Sequence, residues 1–110
     1  MIKGHRIEKI IEVKTFLEII KNYKEEQIVA TQHTFFRLSE EERKIFKEAV
    51  LKEYLINKIP ILVGIQQNSN YAVFYDYGKK EALKIMLDIK IEKIKIITFY
   101  LIEKNKMPML

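Results

Sequence analysis

The chain has 110 residues, 48% hydrophobic and 32% charged, which suits one domain with its own core and argues against disorder. It has no cysteine, so disulfides, thiolate metal sites and a cysteine nucleophile are excluded together. A formal net charge of +5 leans toward a polyanionic partner, nucleic acid first.

Ile7 to Val13 alternates and is rich in β-branched residues, which predicts a strand, at an edge because Glu8 and Glu12 interrupt it. Thr15 and Glu18 have the spacing of a capping box, and Phe16, Leu17, Ile19, Ile20 and Tyr23 recur at helical intervals, so a helix is expected from Phe16 to about Lys24. Gln27 to Gln32 reads as a short extended segment, followed by one helical turn around His33 to Leu38. Ser39 and Glu42 repeat the capping-box spacing and open a helix that runs to about Ile56. Its inward stripe is expected to be Phe46, Ala49, Val50 and Tyr54. Pro60 closes it, because proline disfavours helix in the residue before it.

Four strands follow, Ile61 to Gln66, Tyr71 to Asp76, Ala82 to Lys90 and Lys93 to Ile102. The breaks between them, at Asn68-Ser69-Asn70, Gly78-Lys79-Lys80 and Ile91-Glu92, have turn chemistry. In the last strand strict alternation puts Ile94, Ile96, Thr98, Tyr100 and Ile102 on one face, and apolar residues on both faces place it inside the sheet. The expected fold class is therefore α+β, with the N-terminal strand and two main helices packed on one face of a four-stranded antiparallel meander, all in a single domain over residues 1–110. The other face is expected to be open or covered by a partner. No apolar run follows the opening residues, so no secretory signal is expected, and no stretch is long and apolar enough to span a bilayer.

Seventeen of the twenty basic residues are lysine, and the three arginines are Arg6, Arg37 and Arg43. In such a chain an arginine marks a place where a planar, bidentate donor is wanted. His5 and His33 are too far apart for a zinc spacing, and no glycine-rich phosphate loop, serine triad or carboxylate pair stands out, so no metal or cofactor is expected.

His33-x-x-x-Arg37 ahead of a helix, with a meander closing on Ile97-Thr98-Phe99-Tyr100, resembles small basic toxins of the RelE/ParE superfamily, in particular the BrnT-like branch and related prokaryotic domains. The stretch Val63 to Ala72 is similar to a hairpin of such domains, and the resemblance covers roughly His33 to Leu101. It implies a RelE-like or barnase-like fold and a cytoplasmic ribonuclease, often acting on ribosome-bound mRNA and silenced by an antitoxin. Other members of the superfamily have different targets, so the resemblance in fold does not transfer the activity.

Metal-independent RNA cleavage needs a base for the 2′-hydroxyl, cations for the phosphorane charge and an acid for the leaving 5′-oxygen. His33 suits the acid or base role because imidazole titrates near neutrality; a solvated or backbone-bonded histidine at a helix start is the plainer reading. Arg37, one helical turn on, could clamp a phosphate or simply pair with Glu40 or Glu41. Arg43 and Tyr100 are supporting catalytic candidates. For RNA contacts the candidates are Gln66 and Asn68 at a hairpin tip, Tyr71 and Tyr75 on a strand face, and Lys93 and Lys95. A tyrosine stripe on a strand is more often half-buried packing, and a polar hairpin tip needs no ligand. Two other readings stand beside the ribonuclease. One is a non-catalytic RNA- or protein-binding module whose affinity comes from an open sheet face with Lys84, Lys90, Lys93 and Lys95; the other is a structural homodimer.

Overall fold

A computed structural model of the protein describes residues 7–30 and 47–107. The first strand, β1 (Ile7–Ile11), runs straight into α1 (Val13–Ile20). The helix starts earlier than the Thr15 capping box predicts. Glu12 is already its extended N-cap residue, and its carbonyl accepts the Phe16 N–H at 3.1 Å. The reason lies in burial: Phe16 and Ile20, four residues apart, both enter the core, so the helical phase is set before Thr15 could cap anything. After Ile20 the chain leaves the helix and makes a 3₁₀ turn at Glu25–Gln27. The Tyr23 hydroxyl donates to the Lys90 carbonyl and the Gln27 side-chain amide to that of Glu92, at 3.1 Å for the latter. These two bonds moor the segment to the distant Lys90–Glu92 turn and deliver β2 (Ile28–Ala30) alongside the last strand.

The second helix, α2, covers Glu48–Asn57. Lys47 is extended (φ −102°, ψ 166°), so the helix expected from Ser39 to Ile56 is not continuous. Its buried stripe is Leu51 and Leu55, with Val50 and Tyr54 half-buried beside them and Ala49 exposed. At its start Glu48 accepts the Ala30 N–H at 3.0 Å, tying the helix to the end of β2. Phe46 and Ser39 lie outside the described residues.

Four strands complete the sheet: β3 (Leu62–Gln66), β4 (Tyr71–Tyr77), β5 (Glu81–Ile89) and β6 (Ile94–Glu103). Their order is β1-β3-β4-β5-β6-β2, antiparallel throughout except that β2 runs parallel to β6. The sheet therefore has six strands rather than the four of the predicted meander. β1 and β2 join its opposite edges, and neither pairing is visible as a local pattern. Positive φ falls at Ser69 (72°) and Gly78 (75°), where the two tight turns require it.

Both helices of the described residues pack on one face. Phe16, Ile20, Leu51 and Leu55 form a single core with Val63, Val73, Tyr75, Leu83, Ile85, Leu87, Ile94, Ile96 and Phe99. Strict alternation fails at two places among the described strands, in β1, where the register shifts between Ile7 and Lys9, and in β6. Leu87 opposes Ile96 but Met86 opposes Thr98, so Ile97 is an extra residue, a β-bulge. The bulge reverses the phase: Ile94 and Ile96 face the helices, whereas Thr98, Tyr100 and Ile102 face the other way and Phe99 takes the core position. The second face is not bare. Ala72, Phe74, Ala82 and Met86 are buried there, and the face becomes half-exposed on both flanks, at Ile10 and Leu62 toward β1 and at Lys84, Thr98 and Tyr100 toward β6.

Candidate functional site

The bulge gathers chemistry at one place. Across the second face Phe74 of β4, Lys84 of β5 and Tyr100 of β6 are direct neighbours in register. The Lys84 ammonium lies 5.6 Å from the Phe74 ring centre and 5.3 Å from that of Tyr100, close enough for both rings to attract it. It donates to the Tyr100 hydroxyl at 3.1 Å. No carboxylate pairs with Lys84 among the described residues. A half-buried cation without a counter-ion is costly to keep, and an ammonium with spare N–H groups beside a phenol O–H offers several donors to one anion. Thr98 lies beside Tyr100 on the same face, opposite Met86. What the arrangement can do is hold a phosphate-like oxygen and stabilise added negative charge on it.

Of the four catalytic candidates, Tyr100 is the one within the described residues; His33, Arg37 and Arg43 lie outside them. The RNA-contact candidates scatter. Gln66 and Tyr75 are each 1% exposed, so neither meets a base at the surface: Tyr75 lies under α2, its ring 5.3 Å from that of Tyr54. Burial pushes the Tyr75 hydroxyl well above its ordinary range, and it stays neutral. Tyr54 is raised too, by its own burial first and then by Tyr77 and Glu53. Tyr71 packs against Phe16 on the helix side, 6.4 Å between rings. Asn68 is exposed, with its side chain accepting the Asn70 N–H at 3.1 Å inside the turn. Lys95 is half-buried opposite Asp88, and Lys93 is half-buried with its carbonyl accepting the Lys90 N–H. Lys90 is paired with Asp88 at 3.7 Å.

Phe74 and Thr98 were not among the sequence candidates, and Lys84 entered only as one lysine of a basic face. The signal for Lys84 is its place between Leu83 and Ile85, one charge in an apolar strand. A separate cleft, lined by Lys79, Lys80, Glu81, Glu103, Lys104 and Asn105, opens at the far end of β5 and β6. Its acids, and the pairing of Lys104 with Asp76, leave it less suited to an anion. Among the described residues no three of His, Cys, Asp and Glu are grouped to hold a metal ion, and no helix is long and apolar enough to cross a membrane.

Comparison with known proteins finds no match among curated proteins and none among solved structures. One family model does match, from within α1 to Leu87 in β5, a span that includes Phe74 and Lys84 and stops short of Tyr100. With residues 14–87 matched, more than half of its length, the chain belongs to the MJ0788 family.

Proposed function

We propose that the chain acts on RNA, as a metal-independent endoribonuclease of the toxin type, and that the Lys84–Tyr100 corner takes the scissile phosphate. The observation that carries this reading is the 3.1 Å contact between an ammonium with no carboxylate partner among the described residues and a tyrosine hydroxyl, on the sheet face away from α1 and α2. The RelE-like or barnase-like architecture is part of the same proposal, resting on the sequence resemblance and compatible with an α+β sheet carrying both helices on one side. So are a cytoplasmic location and a co-encoded antitoxin.

In this reading the 2′-hydroxyl loses its proton to a base, its oxygen attacks phosphorus, and the bond to the 5′-oxygen breaks as that oxygen gains a proton. The product is a 2′,3′-cyclic phosphate. His33 serves as acid or base, with Arg37 as phosphate clamp and Arg43 in support. Lys84 and Tyr100 donate to the non-bridging oxygens, where charge builds up in the transition state.

The test is cleavage of single-stranded RNA in excess chelator. Wild type should cut. His33→Ala should slow the chemical step by about 10²–10⁴-fold, and Tyr100→Phe, which removes one donor, by about 10²-fold. Binding without cleavage would replace the enzyme with the binding module. Equal cutting by wild type and both variants would remove this site from consideration.

A further inference from the structure

On the opposite side of the sheet, between the C-terminal ends of α1 and α2, there is a hollow of about 410 Å³. Leu17, Ile20, Ile56 and Ile59 give it apolar walls, and the exposed lysines Lys21 and Lys58 border it. Ile59 is 72% exposed and Ile56 40%, and Ile61 follows at 46%. Buried Pro60 pins the loop between Ile59 and Ile61, so these side chains are held out rather than left to fold away. Single exposed apolar residues are ordinary, but Ile56 and Ile59 line one hollow and Ile61 follows them in the chain, which makes a patch.

We propose that this hollow docks an acidic segment of a protein partner, one that inserts apolar side chains between the two helix ends. Charge selects the occupant. Among the described residues no acidic residue lines the hollow, and two lysines do. The helix C-termini, which Lys21 and Lys58 cap, contribute about −0.5 each, leaving roughly +1 in favour of an acid. A second copy of the chain is disfavoured by the same count, because a two-fold contact would bring the lysines of both copies together, each copy carrying +5. An amphipathic helix with apolar residues at i and i+4 has the right form for such a groove. The inference uses the helix layer and does not depend on the RNA reading.

The experiment titrates the full chain, labelled on isoleucine and leucine methyls, with a synthetic helical peptide carrying leucines at i and i+4 and glutamates elsewhere. A matched peptide with lysines in place of the glutamates is the control. The acidic peptide should shift the methyls of Leu17, Ile20, Ile56 and Ile59, and Ile59→Ser should weaken binding by about tenfold or more. Lys21→Glu with Lys58→Glu should reverse the preference between the two peptides. Because Ile59 is exposed, Ile59→Ser should keep the wild-type Tm, and that measurement separates lost docking from lost fold. The proposal is overturned if the two peptides bind equally or if the shifts fall elsewhere. Concentration-dependent shifts without peptide that Ile59→Ser abolishes would also overturn it, since they make a second copy the occupant.

Discussion

Gly64 lies in β3 opposite Ile10 of β1, and the space above it belongs to Ile7. A Cβ at position 64 would meet Ile7 Cγ2 at 2.6 Å, Ile7 Cδ1 at 3.2 Å and the Lys9 carbonyl oxygen at 3.3 Å. The first contact is impossible without movement, and a β-branched side chain has few rotamers to move into. Overpacking of this kind costs about 1–3 kcal/mol, while replacing a strand glycine returns about 0.5–1 kcal/mol of backbone entropy. Gly64→Ala should therefore destabilise by up to about 2.5 kcal/mol net. Ile7→Ala removes both of the closest atoms. In that background Gly64→Ala should become neutral or mildly stabilising, a change of sign rather than of degree. Urea unfolding of the four proteins in the cycle measures the coupling. An equal cost in both backgrounds would refute the β1–β3 packing on which the argument rests.

Leu55→Ala should lose about 2–5 kcal/mol in the same unfolding assay because it empties the core beneath α2. Tyr75 supplies a pH prediction. Its folded-state pKa is raised above the ordinary 10.0, so its contribution is complete below pH 10 and is lost as pH rises past it, at about 1.4 kcal/mol per unit. Tyr75→Phe should flatten that alkaline limb without loss at pH 7, since the hydroxyl has no hydrogen-bond partner among the described residues; an unchanged limb in alkaline melts would contradict this. Deleting Ile97 should leave a folded protein, because the deletion restores plain alternation with Ile96 inward and Thr98 outward. Loss of cooperative unfolding in that variant would show that the bulge does more than set phase.

The meander was legible because each of its strands carries a local signal. Leu83, Ile85 and Leu87 alternate with Lys84 and Asp88, and the turns at Ser69 and Gly78 announce themselves by composition. β2 was not legible as a sheet strand, because three residues are too few for a period and a parallel partner lies more than sixty residues away. The bulge at Ile97 was hidden in a run of apolar residues in which either phase fits. Missing it put Tyr100 on the same face as Ile96 and concealed the row Phe74, Lys84, Tyr100. For Gln66 and Tyr75 the polar atom drew attention while the position decided the outcome: both point into packed interior. The sequence motif of His33 and Arg37 falls outside the described residues, so its part in the site rests on the resemblance and on the cleavage assay.

The central claim is that the Lys84–Tyr100 corner meets RNA phosphate, and the salt dependence of binding tests it most directly. A 2′-O-methyl single-stranded RNA cannot be cleaved by the proposed route, so affinity alone is read. Wild type should bind with a negative slope of log K against log salt, and Lys84→Gln should weaken binding of different sequences alike while reducing the slope by about 0.7, the share of one phosphate contact. Identical slopes and affinities for wild type and Lys84→Gln would contradict the account.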